Sequence, residues 1–173
     1  MKKILIIGSG AMGAAFSIPL IENRHHVTLS EPHNIKLISK LNLKKKFHPS
    51  LKINLPKKIK TKKFVPEMLN LQWDLIVVAV SSVGIEIISK YLAHLKSKTP
   101  ILVLTKGLKL DKTKRIITMS EQLNKNNNKL NISVLKGPCL AKELARKIKS
   151  YTVIGNKNIK VAKDIGKIIS TKY

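Results

Sequence analysis

Short apolar runs alternate with amphipathic stretches along this 173-residue chain. The runs at Ile4–Ile7, Val27–Ser30, Asp74–Val80, Pro100–Leu104, Ile132–Leu135 and Tyr151–Ile154 have the length and near-continuous apolar character of sheet strands buried on both faces. Between them, helical spacing predicts helices over 11–22, 34–41, 83–95, 112–124, 138–147 and 157–169. The third is the clearest, with Ile85, Ile88, Leu92 and Leu95 on one face. Pro138 suits a first helical position, where its missing N–H costs nothing. Alternation of this kind predicts βαβ units, and so an α/β domain over 1–173 with a doubly wound, mostly parallel sheet. A chain of this length buries about 70% of its unfolded surface.

Residues 44–63 break the rhythm. They hold nine lysines, no acid, and Pro49 and Pro56 as punctuation. This predicts exposed loop and short edge strands, with Ile53 and Ile59 as anchors. A solvated lysine-rich surface is the plainer reading and a phosphate-binding patch the alternative.

Charge changes the picture less than its size suggests. There are 34 Lys plus Arg against 9 Asp plus Glu, a formal net charge of +25. Only Arg24, Arg115 and Arg146 are arginine, and aromatic residues make up 4%. The bidentate and stacking contacts that read nucleic acids are therefore poorly supplied, and no specific nucleic-acid partner is expected. Lysine, isoleucine and asparagine abound together, as AT-rich codons would give, which points to genome composition. Salt-sensitive binding to polyanions is still expected.

Cys139 is the one cysteine, so no intrachain disulfide forms, which fits a reducing cytoplasm. No 18-residue apolar run predicts a membrane span, and the N-terminus has no secretory apolar region. His25, His26, His33, His48 and His94 show no metal-ligand spacing with each other or with Cys139, so no metal is expected.

The candidate chemistry begins directly after the first run. Gly8-x-Gly10-x-x-Gly13 follows a strand and opens a helix, the order that a dinucleotide pyrophosphate requires. Gly8 permits the turn, Gly10 admits the phosphates to the backbone, and Gly13 lets helix and strand approach. The phosphates then meet free N–H groups at a helix N-terminus. Glu31 follows the second strand at about the spacing of an acid that bonds the adenosine ribose, which favours NAD over NADP. Ser81, Lys106 and Gly137 to Cys139 also follow strands, so all these residues are expected to rim one crevice. Lys106 there is suited to bond a carbonyl and stabilise charge developing on it; among so many lysines, a plain surface residue is the alternative.

Three motifs together carry a resemblance. Gly8-Ser9-Gly10-Ala11-Met12-Gly13, Leu104-Thr105-Lys106-Gly107-Leu108 and Lys136-Gly137-Pro138-Cys139-Leu140-Ala141-Lys142-Glu143-Leu144-Ala145 are similar to the NAD(P)-dependent glycerol-3-phosphate dehydrogenases. The second and third are more specific than the first. The stretch from Gly10 to about Leu51, with His48-Pro49, resembles the archaeal-type members. The resemblance implies the Rossmann cofactor domain of an oxidoreductase that moves hydride between NAD(P)H and dihydroxyacetone phosphate. It implies cofactor contacts at Gly8, Gly10, Ala11, Met12, Gly13, Glu31, Ser81, Lys106 and Ala141. Lys106, Gly137 and Cys139 match substrate-contacting positions, and Lys106 is the implied catalytic residue.

The chain departs from the family in three respects. Cys139 stands where Ser or Thr is usual, and a thiol is the weaker donor, so a small buried residue is an equal reading. Met12 stands where many members have an aromatic residue. The family also carries a helical C-terminal domain with a proton-transferring lysine, substrate-phosphate contacts and much of a dimer interface. That domain lies outside 1–173, so little turnover is expected of this chain alone, and a homodimer only with that domain present. Two rival functions are another two-domain reductase, for ketopantoate or a hydroxyacid, and a non-catalytic nucleotide-binding module.

Overall fold

The computed structural model describes residues 1–95 and 97–173. Its strands are β1 (Lys3–Ile7), β2 (His26–Glu31), β3 (Phe47–His48), β4 (Ile53–Asn54), β5 (Lys60–Lys63), β6 (Leu75–Val78), β7 (Ile101–Val103), β8 (Leu108–Leu110), β9 (Ile116–Thr118), β10 (Ile132–Lys136) and β11 (Val153–Gly155). The helices are α1 (Ala11–Glu22), α2 (Ile35–Leu41), α3 (Ile85–Leu92), α4 (Met119–Asn124), α5 (Ala141–Ala145) and α6 (Ile159–Ile169).

Seven strands form one sheet in the order β11-β10-β7-β6-β1-β2-β5, parallel throughout except where the edge strand β11 runs against β10. The pleat explains the three layers. Ile4 and Ile6 join a core with α1 and α6 on one face, while Leu5 and Ile7 join one with α3 and α4 on the other. Successive connections leave β1 in one direction and β6 in the other, so the topology switches between these two strands. Ile7 pairs with both Ser30 and Val78, which brings Gly8, Glu31 and Ala79 to one edge of the sheet. Among the described residues, no helix is long and apolar enough to cross a membrane.

Several predicted elements differ. The helix expected over 112–124 is a β8–β9 hairpin followed by the short α4. Asp111 accounts for this: its Oδ1 accepts from the N–H groups of Thr113 (2.8 Å) and Arg115 (2.9 Å), which draws the chain into a turn. Thr118 and Glu121 then form a reciprocal cap that starts the helix at Met119. Pro138 lies outside a helix, because the Cys139 N–H donates to the Gly137 carbonyl (2.9 Å) and spans the proline in a tight turn; α5 begins only at Ala141. The last strand is displaced by two residues at its start and pairs antiparallel. The final helix starts at Ile159, where Asn158 accepts from the Lys160 N–H (2.9 Å).

Residues 44–63 form the β3–β4 hairpin and the edge strand β5, as short strands should. Ile59 is buried and Ile53 partly so, but Leu51, Leu55 and His48 are buried as well. The segment is packed more firmly than its lysine content suggests.

Candidate functional site

The site is built where β1 hands over to α1. At Gly8, φ is +107° and a Cβ would lie 2.6 Å from the Ala79 carbonyl oxygen at the end of β6. At Gly13, a Cβ would lie 1.9 Å from the Gly8 carbonyl oxygen. Both positions are closed to a side chain by backbone. Gly10 is the reverse: a Cβ there meets no protein atom within 4 Å. It caps α1 without any side-chain hydrogen bond, so the first N–H groups of the helix carry no such partner. The result is an open, positively polarised helix terminus beside free space.

Glu31 ends β2 and is buried. Its Oε2 accepts from the Ser9 N–H (2.8 Å) and the Ser9 hydroxyl (2.7 Å). Its Oε1 accepts from the N–H groups of His33 (3.0 Å) and Asn34 (3.1 Å). Four donors thus meet the four lone-pair positions of one carboxylate, which leaves none for a ribose hydroxyl, so Glu31 braces the glycine turn here and is not the free ribose-bonding acid that its spacing predicts. Burial pushes its pKa up, but the Ser9 hydroxyl and the N–H groups of Asn34, Ser9 and His33 outweigh burial and hold it below the ordinary value.

The other strand-end residues meet across the switch point. Met12, Ser81, Lys106, Cys139 and Ala141 line one cavity of about 290 Å³, together with Ala79 and Thr105. Thr105 is buried, and its hydroxyl donates to the Val80 carbonyl (2.7 Å), so the end of β7 is pinned to the chain leaving β6. Lys106 is left exposed at the cavity edge. Cys139 is buried. Burial pushes its thiol above the ordinary value, partly offset by the Lys106 charge. Gly137 does not line this cavity; it sits behind Cys139, where a Cβ would be 2.7 Å from the Tyr151 carbonyl oxygen. A larger cavity of about 470 Å³ lies on the far side of Cys139, against α1 and α6, and holds neither Ser81 nor Lys106. The smaller cavity is the one continuous with the chemistry-bearing strand ends.

Two residues quoted within the resembling stretches, but given no role from the sequence, belong to the site. Ser9 occupies a variable position of the glycine pattern yet receives Glu31. His48 is buried in a lysine-rich segment, and its Nε2 lies 2.9 Å from the Ser9 carbonyl oxygen across 39 positions of sequence.

Residues 3–162 match the family model of the NAD-dependent glycerol-3-phosphate dehydrogenase N-terminus. Glycerol-3-phosphate dehydrogenase [NAD(P)+] of Bacillus pumilus is 30% identical over 164 residues, covering 94% of this chain and 47% of the relative. The NADP(+)-dependent glycerol-3-phosphate dehydrogenase of Archaeoglobus fulgidus is 25% identical over 177 residues, covering 98% and 51%. Among solved structures, glycerol-3-phosphate dehydrogenase from Coxiella burnetii superposes with a TM-score of 0.82 at 21% identity, covering 99% of this chain and 51% of the other. The chain spans about half the length of the curated relatives it matches.

Proposed function

This chain belongs to the NAD-dependent glycerol-3-phosphate dehydrogenase family, whose N-terminal part it matches, and on that basis we propose that it is the cofactor-binding half of an enzyme moving hydride between NAD(P)H and dihydroxyacetone phosphate. The observation that carries this reading is the cavity joining Met12, Ser81, Lys106, Cys139 and Ala141 beside an open glycine turn.

A dinucleotide suits the residues present. The empty volume on the Gly10 side admits a pyrophosphate to the backbone, and the uncapped start of α1 offers N–H donors to it. The adenosine end then lies toward Glu31, whose negative charge disfavours a 2′-phosphate and so favours NAD. The nicotinamide end lies toward the cavity. The bound nicotinamide supplies the hydride. Lys106 orients the carbonyl of the substrate and stabilises the negative charge that develops on its oxygen. Thr105 holds the Lys106 backbone against β6, which limits the positions the ammonium can take. Cys139 packs under the substrate as a neutral thiol, since burial keeps it protonated at neutral pH.

The test is an NADH titration followed by calorimetry, on the unmodified chain and on Gly10→Val. A Cβ at this position meets no protein atom within 4 Å and the branched side chain enters the space of the phosphates, so the melting temperature stays close while the affinity falls at least tenfold. Equal affinity of the two proteins refutes the assignment of Gly10.

A further inference from the structure

We propose that His48 is a positioning residue of the dinucleotide site, orienting the peptide between Ser9 and Gly10 so that the Gly10 N–H faces the pyrophosphate. This rests on the dinucleotide reading above. It concerns a side chain that the glycine pattern does not contain.

The argument starts from the hydrogen-bonding state of the imidazole. The Leu51 N–H points at Nδ1 (3.3 Å), so Nδ1 accepts. Nε2 faces the Ser9 carbonyl oxygen (2.9 Å), so Nε2 donates. The Nε2-protonated tautomer satisfies both, and no rotation of the ring does so with the other. His48 and Ser9 are both buried, so water does not compete for either bond.

Ser9 is then gripped on both of its peptide groups. Its N–H and hydroxyl are held by Glu31 on one side, and its carbonyl by His48 on the other. The peptide that follows is planar and trans, so its N–H, that of Gly10, points opposite to the Ser9 carbonyl. Drawing the carbonyl toward His48 therefore aims the Gly10 N–H away from the protein interior. Gly10 is held on its far side, where its carbonyl accepts from the Ala14 N–H (2.9 Å) in the first turn of α1, so the peptide between Ser9 and Gly10 is the joint left to be oriented. Among the described residues, no side chain other than His48 bonds the Ser9 carbonyl. A peptide that tilts between these two fixed ends offers its N–H to a phosphate only part of the time, and the affinity falls by that fraction.

Two variants separate this role from packing. In His48→Gln the amide nitrogen reaches the place of Nε2, keeping the bond to Ser9 and giving up the one from Leu51. In His48→Asn the side chain keeps the bond from Leu51 and falls short of Ser9. Each loses one buried hydrogen bond, so both lower the melting temperature. We expect the Kd for NADH, measured by calorimetry well below either melting temperature, to rise about tenfold in His48→Asn and to stay within about threefold in His48→Gln. Equal affinities in the two variants, or affinities that follow melting temperature alone, overturn the proposal. Nitrogen NMR of the unmodified chain is a second measurement: an Nδ1-protonated His48 overturns it without any variant. An unmodified chain that binds neither NADH nor NADPH overturns the dinucleotide reading, and the role of His48 with it.

Discussion

Replacing Glu31 by glutamine tests how the glycine turn is held. The carboxylate accepts four hydrogen bonds, two on each oxygen, from Ser9, His33 and Asn34. Glutamine keeps one oxygen and turns a donating NH₂ toward the other pair. Two buried donors then lose their acceptor, at about 1–3 kcal/mol each, so the loss is about 2–6 kcal/mol. At about 2–4 °C per kcal/mol for a domain of this size, the melting temperature falls by roughly 4–24 °C. Thermal unfolding followed by circular dichroism at neutral pH measures it. The pH dependence gives an independent sign. The native carboxyl titrates below its ordinary value of 4.5, so its contribution is full above that value and is lost as pH falls through the lower native one. The gap between the unmodified chain and Glu31→Gln should therefore be constant from neutral pH down to about 5 and narrow below about 4.5. A melting temperature within about 1 °C of the unmodified chain, or a gap that ignores acid, refutes the account of Glu31 as a four-donor brace.

Gly13→Ala places a methyl group where the Gly8 carbonyl oxygen already lies, 1.9 Å away; α1 must shift, costing about 1–3 kcal/mol or more, and an unchanged melting temperature refutes the close approach of helix and turn. Cys139, a neutral thiol held up by burial, should react slowly with iodoacetamide at neutral pH. Because the Lys106 charge lowers that pKa, Lys106→Met should slow alkylation further, and an equal or faster rate refutes the proximity of the two side chains.

The parts of this structure legible in the sequence are those set by local pattern. The apolar runs of β1, β6 and β7 mark buried parallel strands, because a strand covered on both faces has no polar side to show. The convergence of Met12, Ser81 and Lys106 follows from them, since parallel strands deliver their carboxyl ends to one edge. What was illegible depends on competition or distance. Apolar spacing over 112–124 reads as helix, but Asp111 binds its own backbone first and the chain turns into a hairpin. Pro138 looks like a helix start, yet the left-handed Gly137 (φ +127°) and the Cys139 N–H commit it to a turn. His48 reaches Ser9 from 39 residues away, and the lysine-rich segment around it reads as a solvated surface.

That contrast bears on the charge of the chain. Among the described residues, Glu31 is the one acidic side chain that is buried, and no lysine or arginine is. The lysines responsible for a net charge of +25 therefore stay in solvent, where ions screen them beyond roughly 10 Å at ordinary salt. Such a field raises the encounter rate of any anion, whether a dinucleotide, a phosphorylated substrate or an unrelated polyanion, and distinguishes little among them. Discrimination has to come from groups with a fixed direction. At this site they are backbone N–H groups at the head of α1, and their direction is set by Ser9, which Glu31 and His48 hold from opposite sides. Attraction and recognition thus fall to different parts of the molecule. Surface lysine count can drift with the composition of the genome, while one buried acid, one buried histidine and three glycines keep the turn in shape.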